Sequence, residues 1–111
     1  MIRPTPEMRD TYRHFQAIPT RWADNDVYGH VNNVVYYSYF DTVVNQYRIE
    51  QRALDLVNGT VIGLVVETQC EYFAPISFPD VVHAGLGDAR VGKRSVRYEV
   101  GVFRNGEKTA T

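Results

Sequence analysis

Ionisable and amide side chains are concentrated in one short stretch of the sequence, directly ahead of a long apolar segment. This stretch, residues 21–33, reads Arg-Trp-Ala-Asp-Asn-Asp-Val-Tyr-Gly-His-Val-Asn-Asn. Asp24, Asp26 and His30 could accept or donate a proton, and they precede the first turn of a predicted helix. The backbone N–H groups of a first turn lack intrahelical acceptors and carry a partial positive charge, so they stabilise an anion. The stretch therefore predicts a polar site beside anion-binding amides.

The segment after this stretch has the periodicity of an α-helix that extends to about Leu54. Apolar residues spaced i, i+4, i+7, i+8 and i+11 form its main stripe, and these are Tyr36, Phe40, Val43, Val44 and Tyr47. Further apolar residues in the first half predict that this half is covered on most sides. Asn32 or Asn33 is the expected N-cap, because its side-chain carbonyl can accept a hydrogen bond from a first-turn amide.

Four further segments have the features of β-strands, and turn residues separate those that follow the helix. They are Tyr12 to Pro19, Thr60 to Phe73, Val81 to Val91 and Ser95 to Phe103. Gly85 and Gly87 share one face of the third of these segments, which indicates a bulge, a close neighbour or curvature, and we favour curvature. Asn105-Gly106 predicts a hairpin turn, but the sequence ends at Thr111, inside the strand that should follow.

This element order predicts an α+β fold in which a curved antiparallel sheet wraps one long central helix. We expect a single domain over residues 1–111, with residues 1–11 as an irregular N-terminal arm and with the last strand truncated. Four strands cannot cover the helix on all sides and leave long free edges. We therefore expect self-association through an edge strand, as a homodimer or homotetramer.

Composition excludes several classes of function. The apolar fraction of 44% and the charged fraction of 23% are ordinary for a globular domain, and a net charge of -1 gives no electrostatic reason to bind nucleic acid or an anionic membrane. No signal-peptide pattern and no long apolar run is visible. The single cysteine, Cys70, cannot form an internal disulfide. We therefore expect a cytoplasmic protein, with Cys70 as a small structural residue.

The motif Asp-x-Asp-x-x-Gly-His-Val-Asn-Asn resembles the signature of the 4-hydroxybenzoyl-CoA thioesterase family of hotdog-fold proteins. In this sequence the motif consists of Asp24, Asp26, Gly29, His30, Val31, Asn32 and Asn33. Three later segments look like the same family's pattern in the same order, and they are Tyr72-Phe73-Ala74-Pro75, Asp80 and Gly92-Lys93-Arg94-Ser95-Val96-Arg97-Tyr98-Glu99. The resemblance covers roughly residues 12–111 and is more specific for the superfamily than for a substrate.

The resemblance implies a hotdog fold, dimers with active sites at the subunit interface, and hydrolysis of an acyl-CoA thioester to a free acid and coenzyme A. Coenzyme A would be part of the substrate, and no separate cofactor is expected. By motif position, Asp26 would be the catalytic carboxylate, acting as general base or as nucleophile. First-turn backbone amides at or near Asn33 and Val34 would bind the oxyanion. His30 lies where acyl-carrier-protein thioesterases with a related motif have a catalytic histidine.

The segment around Lys93, Arg94 and Ser95 is the candidate contact for coenzyme A phosphates, because a basic turn offers charge-assisted hydrogen bonds to phosphate. An ordinary solvated turn is the alternative. Glu67 and Glu71 could supply a second carboxylate, although exposed strand glutamates explain them better. A metal site is not expected, since the three histidines lack the spacing of zinc ligands.

The residues of the motif also have structural interpretations. Asp26 could be a turn or helix-capping aspartate, and Asp24 is expected to organise the turn through its own backbone. His30 could orient the loop by hydrogen bonding instead of transferring protons, and both roles stay open. Asn32 and Asn33 are expected to be caps first and substrate contacts second.

Two other functions are compatible with the same pattern. The first is a non-catalytic module that binds an acyl-CoA without hydrolysing it. The second is a hotdog hydratase or dehydratase, which is disfavoured because the histidine motif of that class is not visible here. Release of free thiol from acyl-CoAs separates the hydrolase from both alternatives.

Overall fold

The computed structural model describes residues 5–51, 68–93 and 95–111. Its strands are β1 (His14–Pro19), β2 (Val81–Leu86), β3 (Arg90–Val91), β4 (Val96–Arg97) and β5 (Val100–Arg104), and its long helix is α1 (Asn33–Glu50). Short 3-10 turns span Arg9–Thr11 and Trp22–Asp24. Strands β1, β2 and β5 form an antiparallel sheet in the order β1-β2-β5, and β3 pairs with β4. The predicted α+β architecture, with one long helix and an antiparallel sheet, is confirmed.

Helix α1 packs on one face of the three-stranded sheet. Strand β2 alternates, so that Val82, Ala84 and Leu86 are buried on the helix side. The helix buries Tyr36, Tyr39 and Val43 against them. These buried residues form the core that fixes where the helix begins relative to the sheet.

The helix differs from its prediction in its buried face. Tyr39, which lies outside the predicted stripe, is 2% exposed, whereas Phe40 and Val44 are half-buried. Val34 in the first turn is 75% exposed, so one side of the first half is left uncovered by the described residues of a single chain. The reason is that the described strands contact the helix from one side only. The predicted helix end near Leu54 lies outside the described residues.

The predicted strands are shorter than the sequence pattern indicated. The segment Val81 to Val91 divides into β2 and β3, and Ser95 to Phe103 divides into β4 and most of β5. The chain around Asp88 is exposed, so packing does not hold it in a continuous strand. The first part of the predicted strand Thr60 to Phe73 lies outside the described residues. Residues 68–73 are not in a strand, and the Phe73 amide instead donates to the Thr111 carbonyl at 2.7 Å.

The second face of the sheet is covered by the N-terminal arm. The Arg9 guanidinium lies over the Phe103 ring at 4.9 Å and over the Phe15 ring at 5.3 Å, and Tyr12 packs edge-on against Phe103 at 5.7 Å. Met8 also forms a β-bridge with Thr109. Residues 5–11 thus contain one 3-10 turn and one isolated bridge, and Arg9 together with Tyr12 covers this face of the sheet.

The same packing explains why residue 85 of β2 is a glycine. A Cβ atom at Gly85 would lie 2.7 Å from Phe15 Cε1 and 2.9 Å from Tyr12 Cβ. A close aromatic neighbour thus accounts for this glycine, where the sequence analysis favoured curvature. Tyr12 also lies against Gly87, just after β2, where a Cβ would be 3.6 Å from the Tyr12 ring.

Gly85→Ala should lower the free energy of unfolding by about 1–3 kcal/mol, because the added methyl group overlaps two aromatic side chains. Urea denaturation monitored by circular dichroism measures the change. Gly106→Ala is the matched control, since a Cβ atom at Gly106 would meet none of the described residues within 4 Å. Equal destabilisation by the two substitutions would contradict the close contact at Gly85.

Candidate active site

The loop ahead of α1 is folded around the carboxylate of Asp26. Asp26 Oδ1 accepts hydrogen bonds from the Tyr28 amide at 2.8 Å and from the His30 amide at 3.4 Å. The Asp26 amide in turn donates to the His30 carbonyl at 2.8 Å. Gly29 closes the turn with φ +79, a backbone conformation that glycine adopts without strain. The loop thus holds one oxygen of Asp26 in place, and Oδ2 has no hydrogen-bond donor among residues of the described ranges.

Asp24 anchors the loop and has the structural role that the sequence predicted. Its side chain is 3% exposed and accepts hydrogen bonds from the Arg21 amide at 2.8 Å, from Arg21 Nε at 3.0 Å and from Arg21 Nη2 at 2.8 Å. Hydrogen bonding to Asp24 raises the pKa of Arg21. The Asp24 carbonyl accepts from the Asn32 amide at 2.9 Å. The buried aspartate therefore connects both ends of the loop.

A second segment, residues 72–80, supports the loop from its other side. The Val31 amide donates to the Ile76 carbonyl at 2.6 Å, and the Phe78 amide donates to Asn25 Oδ1 at 3.0 Å. Val31 and Ile76 are both buried in the core. The loop is thus held to the sheet side of the molecule by apolar packing and by backbone hydrogen bonds.

The first turn of α1 leaves one amide available. Asn32 is the N-cap, as predicted, and its Oδ1 accepts from the Val34 amide at 3.0 Å. The Val35 amide donates to the Asn32 carbonyl at 2.9 Å. The Asn33 amide has no acceptor among residues 5–51, 68–93 and 95–111. The expectation that the Val34 amide also binds the oxyanion is wrong, because the cap occupies it, and the Asn33 amide is left for a ligand.

These groups meet in a cleft of about 280 Å³. Its polar lining comes from Asp26, His30 and Asn33, which are the three catalytic candidates of the sequence analysis. Its remaining walls are apolar or aromatic and consist of Val31, Tyr36, Tyr72, Ala74 and Pro75. The arrangement places a carboxylate and a helix N-terminus beside an apolar wall, as a site for an acyl group attached to a reactive carbonyl would require.

The aromatic wall was not identified as a site from the sequence. Tyr72 packs edge-on against Tyr36 with ring centroids 5.0 Å apart, and its hydroxyl donates to the Asn33 carbonyl at 3.3 Å. The only signal was the resemblance of Tyr72-Phe73-Ala74-Pro75 to a family pattern, which gives no spatial position.

Cys70 is half-buried, and burial raises the pKa of its thiol, in agreement with its expected structural role.

Two of the three candidate phosphate contacts, Lys93 and Ser95, do not line the cleft. Lys93 and Ser95 are exposed in the turn between β3 and β4, where the Gly92 amide donates to the Ser95 carbonyl at 2.8 Å. Neither residue is among the described residues that line the cleft. Arg94 lies outside the described residues. A role of this turn in binding coenzyme A therefore stays a prediction.

In the part of the chain that the structure describes, no group of three or more histidine, cysteine, aspartate or glutamate side chains could hold a metal ion. Within the same ranges, no helix has the length and apolar character needed to cross a membrane.

Comparison with known proteins assigns the family. The model of the thioesterase superfamily matches residues 28–111, so the chain belongs to this superfamily. A crystal structure of the PA5185 protein from Pseudomonas aeruginosa is 55% identical with a TM-score of 0.90, and the match covers 96% of this chain and 74% of that one. The helix and sheet described above therefore form a hotdog thioesterase fold.

Other relatives are more distant. The PA2801 protein of Pseudomonas aeruginosa, a proposed thioesterase, is 30% identical with a TM-score of 0.77, over 87% of this chain and 75% of that one. A proposed acyl-CoA thioesterase from Xanthomonas campestris is 24% identical with a TM-score of 0.69, over 87% and 83%, and shows the fold alone. YsmA of Bacillus subtilis, an uncharacterised protein, is 24% identical over 84% of this chain. The chain spans 63% of the length of YsmA.

Asp24→Asn should lower the free energy of unfolding by about 1–3 kcal/mol, because it weakens charge-assisted hydrogen bonds to a largely buried carboxylate. Urea denaturation measures this change. Asp88→Asn is the control, since Asp88 is 79% exposed and lies 3.7 Å from Arg13, and a surface pair of this kind contributes about 0–1 kcal/mol. Similar unfolding midpoints for the two variants would contradict the anchoring role of Asp24.

Proposed function

We propose that this protein is an acyl-CoA thioesterase, which hydrolyses an acyl-CoA thioester to the free acid and coenzyme A. The observation that carries the proposal is the cleft in which Oδ2 of Asp26 and the amide of Asn33, neither of them paired within the described ranges, meet an aromatic wall. Membership of the thioesterase superfamily supports the class of reaction. No cofactor takes part in the proposed reaction, because coenzyme A leaves as part of the substrate.

Asp26 acts as general base or as nucleophile. As a base it takes a proton from water while the water oxygen attacks the thioester carbonyl carbon, and the C–S bond then breaks to release the thiolate, which takes up a proton. As a nucleophile its carboxylate attacks the thioester carbonyl carbon, and the C–S bond breaks to release the coenzyme A thiolate, which takes up a proton. Water then hydrolyses the resulting anhydride to the free acid and the Asp26 carboxylate. A positioned base contributes about 10²- to 10⁴-fold to the rate. The loop hydrogen bonds to Oδ1 serve both routes, since they fix the direction of Oδ2.

The Asn33 amide stabilises the oxyanion that develops on the thioester carbonyl. Its N–H belongs to the first residue of α1, so the helix dipole adds to its effect. One donor of this kind contributes about 10²- to 10³-fold. His30 adds an exposed imidazole to the same cleft and is a second polar contact for substrate or water.

The rest of the substrate extends away from this centre. The acyl group packs on Tyr36, Tyr72 and Pro75 of the cleft wall. Lys93, Arg94 and Ser95 are assigned to the phosphates of coenzyme A.

The protein acts as a homodimer or homotetramer. Support for this assembly comes from the second edge of β1, which pairs with no strand of the described ranges, and from exposed apolar residues beside the cleft, among them Val27 and Val34.

Asp26→Asn should lower kcat/KM for the preferred acyl-CoA by about 10²- to 10⁴-fold, because it removes the base or nucleophile. Asparagine keeps an oxygen that can accept from the Tyr28 and His30 amides, so the loop should stay folded. Free thiol release from acetyl-, medium-chain, long-chain and aromatic acyl-CoAs measures activity. Asp41→Asn, on the exposed side of α1, is the matched control and should keep wild-type rates.

The outcomes of this assay are distinct. Thiol release that is lost in Asp26→Asn and kept in Asp41→Asn supports the hydrolase. Saturable binding of acyl-CoA with no thiol release by the wild-type protein would overturn it in favour of a binding module. Thiol release that is unchanged in Asp26→Asn would exclude the assigned role of Asp26.

Asn33→Pro should lower kcat by about 10²- to 10³-fold, because proline lacks the N–H that binds the oxyanion. Proline is well tolerated at the first position of a helix, and Asn32 already has the extended conformation (φ -62, ψ 139) that a following proline favours. Asn33→Ala keeps the amide and should retain activity within a few fold. Equal activity in the proline and alanine variants, measured by thiol release, would show that this amide does not bind the oxyanion.

A further inference from the structure

Tyr72 links the aromatic wall of the cleft to the first turn of α1. Its hydroxyl donates to the Asn33 carbonyl at 3.3 Å, and its ring packs edge-on against Tyr36, one turn further along the helix. Both contacts are with α1, although Tyr72 belongs to the segment that supports the loop ahead of the helix. Tyr72 is thus in a position to fix the orientation of the Asn33 peptide units.

The backbone that carries Tyr72 is held independently of the helix. The amides of Phe73 and Ala74 donate to the Thr111 carbonyl at 2.7 Å and 2.9 Å, and Arg104 Nη1 donates to the Pro75 carbonyl at 3.1 Å. Thr111 is itself held by β5, since its amide donates to the Val102 carbonyl at 2.7 Å. The Tyr72 hydroxyl is therefore supported by the sheet and can restrain the helix terminus.

The hydroxyl also stays a donor over a wide pH range. Desolvation, followed by hydrogen bonding with Cys70, raises the pKa of Tyr72. The phenol thus remains protonated at any pH at which the enzyme would be assayed.

From this geometry we infer that Tyr72 is a positioning residue, which holds the first turn of α1 so that the Asn33 amide points at the thioester oxygen. The inference rests on the proposed function for its catalytic consequence. An oxyanion donor acts only when it is directed at the charge that develops in the transition state, and a small displacement reduces its contribution. Restraint by Tyr72 should therefore affect kcat more than substrate binding.

Tyr72→Phe removes the hydroxyl and keeps the ring that packs on Tyr36. It should lower kcat by about 3- to 30-fold and change KM by less than about twofold, because the interaction is used in the transition state. Tyr72→Leu also removes the aromatic wall and should raise KM in addition. Thiol release under steady-state conditions measures both constants for each variant.

Tyr98→Phe is the matched control, because it removes a tyrosine hydroxyl beside the core cluster around Val43, away from the residues that line the cleft. It should leave kcat and KM unchanged. Tyr72→Phe with a wild-type kcat, or with a raised KM and an unchanged kcat, would overturn the inference. A comparable loss of kcat in Tyr98→Phe would also overturn it, because the effect would then not be specific to Tyr72.

A second measurement does not depend on activity. Backbone order parameters from nitrogen-15 relaxation should fall at Asn33 and Val34 in Tyr72→Phe, by at least about 0.1 from the ~0.85 of rigid backbone, and should not change at Val43. Unchanged order parameters at Asn33 would overturn the positioning role. If the wild-type protein hydrolyses no acyl-CoA, the proposed function fails, and the order parameters alone decide the role of Tyr72.

Discussion

The beginning of helix α1 depends on one buried carboxylate. Asp24 receives three hydrogen bonds from Arg21 through its side chain and one from the Asn32 amide through its carbonyl. A carboxylate buried in this way is stable only because its hydrogen bonds replace the water it has lost. The cap residue Asn32, the available amide of Asn33 and the folded loop around Asp26 all follow from the position that Asp24 fixes.

The two carboxylates of the motif therefore have different roles, and their surroundings explain why. Asp24 is enclosed and its hydrogen bonds are satisfied by the protein, so it has no oxygen to offer a substrate. Asp26, two residues later, is half-buried and lines the cleft with one oxygen held by the loop. The sequence analysis assigned these roles from the resemblance for Asp26 and from turn chemistry for Asp24. Burial and hydrogen-bond partners separate the structural residue from the candidate catalytic one.

The sheet connects this site to both ends of the described chain. One face of β2 packs on α1, and the other face is covered by Arg9 and Tyr12 of the arm. The segment that ends at Thr111 holds Phe73 and Ala74, and through them Tyr72 at the cleft. Backbone hydrogen bonds from Thr111 to β5 thus support a residue that contacts the helix terminus.

The sequence by itself determined the helix, its N-cap, the α+β class and the loop in which the candidate residues lie, because these depend on local periodicity and on contacts within a few residues. Only the tertiary structure decided that Tyr39 is buried, that the strand segments divide near Asp88, that the arm covers Gly85, and that Tyr72 reaches Asn33. Those features join residues far apart in the chain, such as Tyr72 and Asn33 or Arg9 and Phe103. Their energy comes from side-chain packing between elements, which a pattern along one segment does not contain.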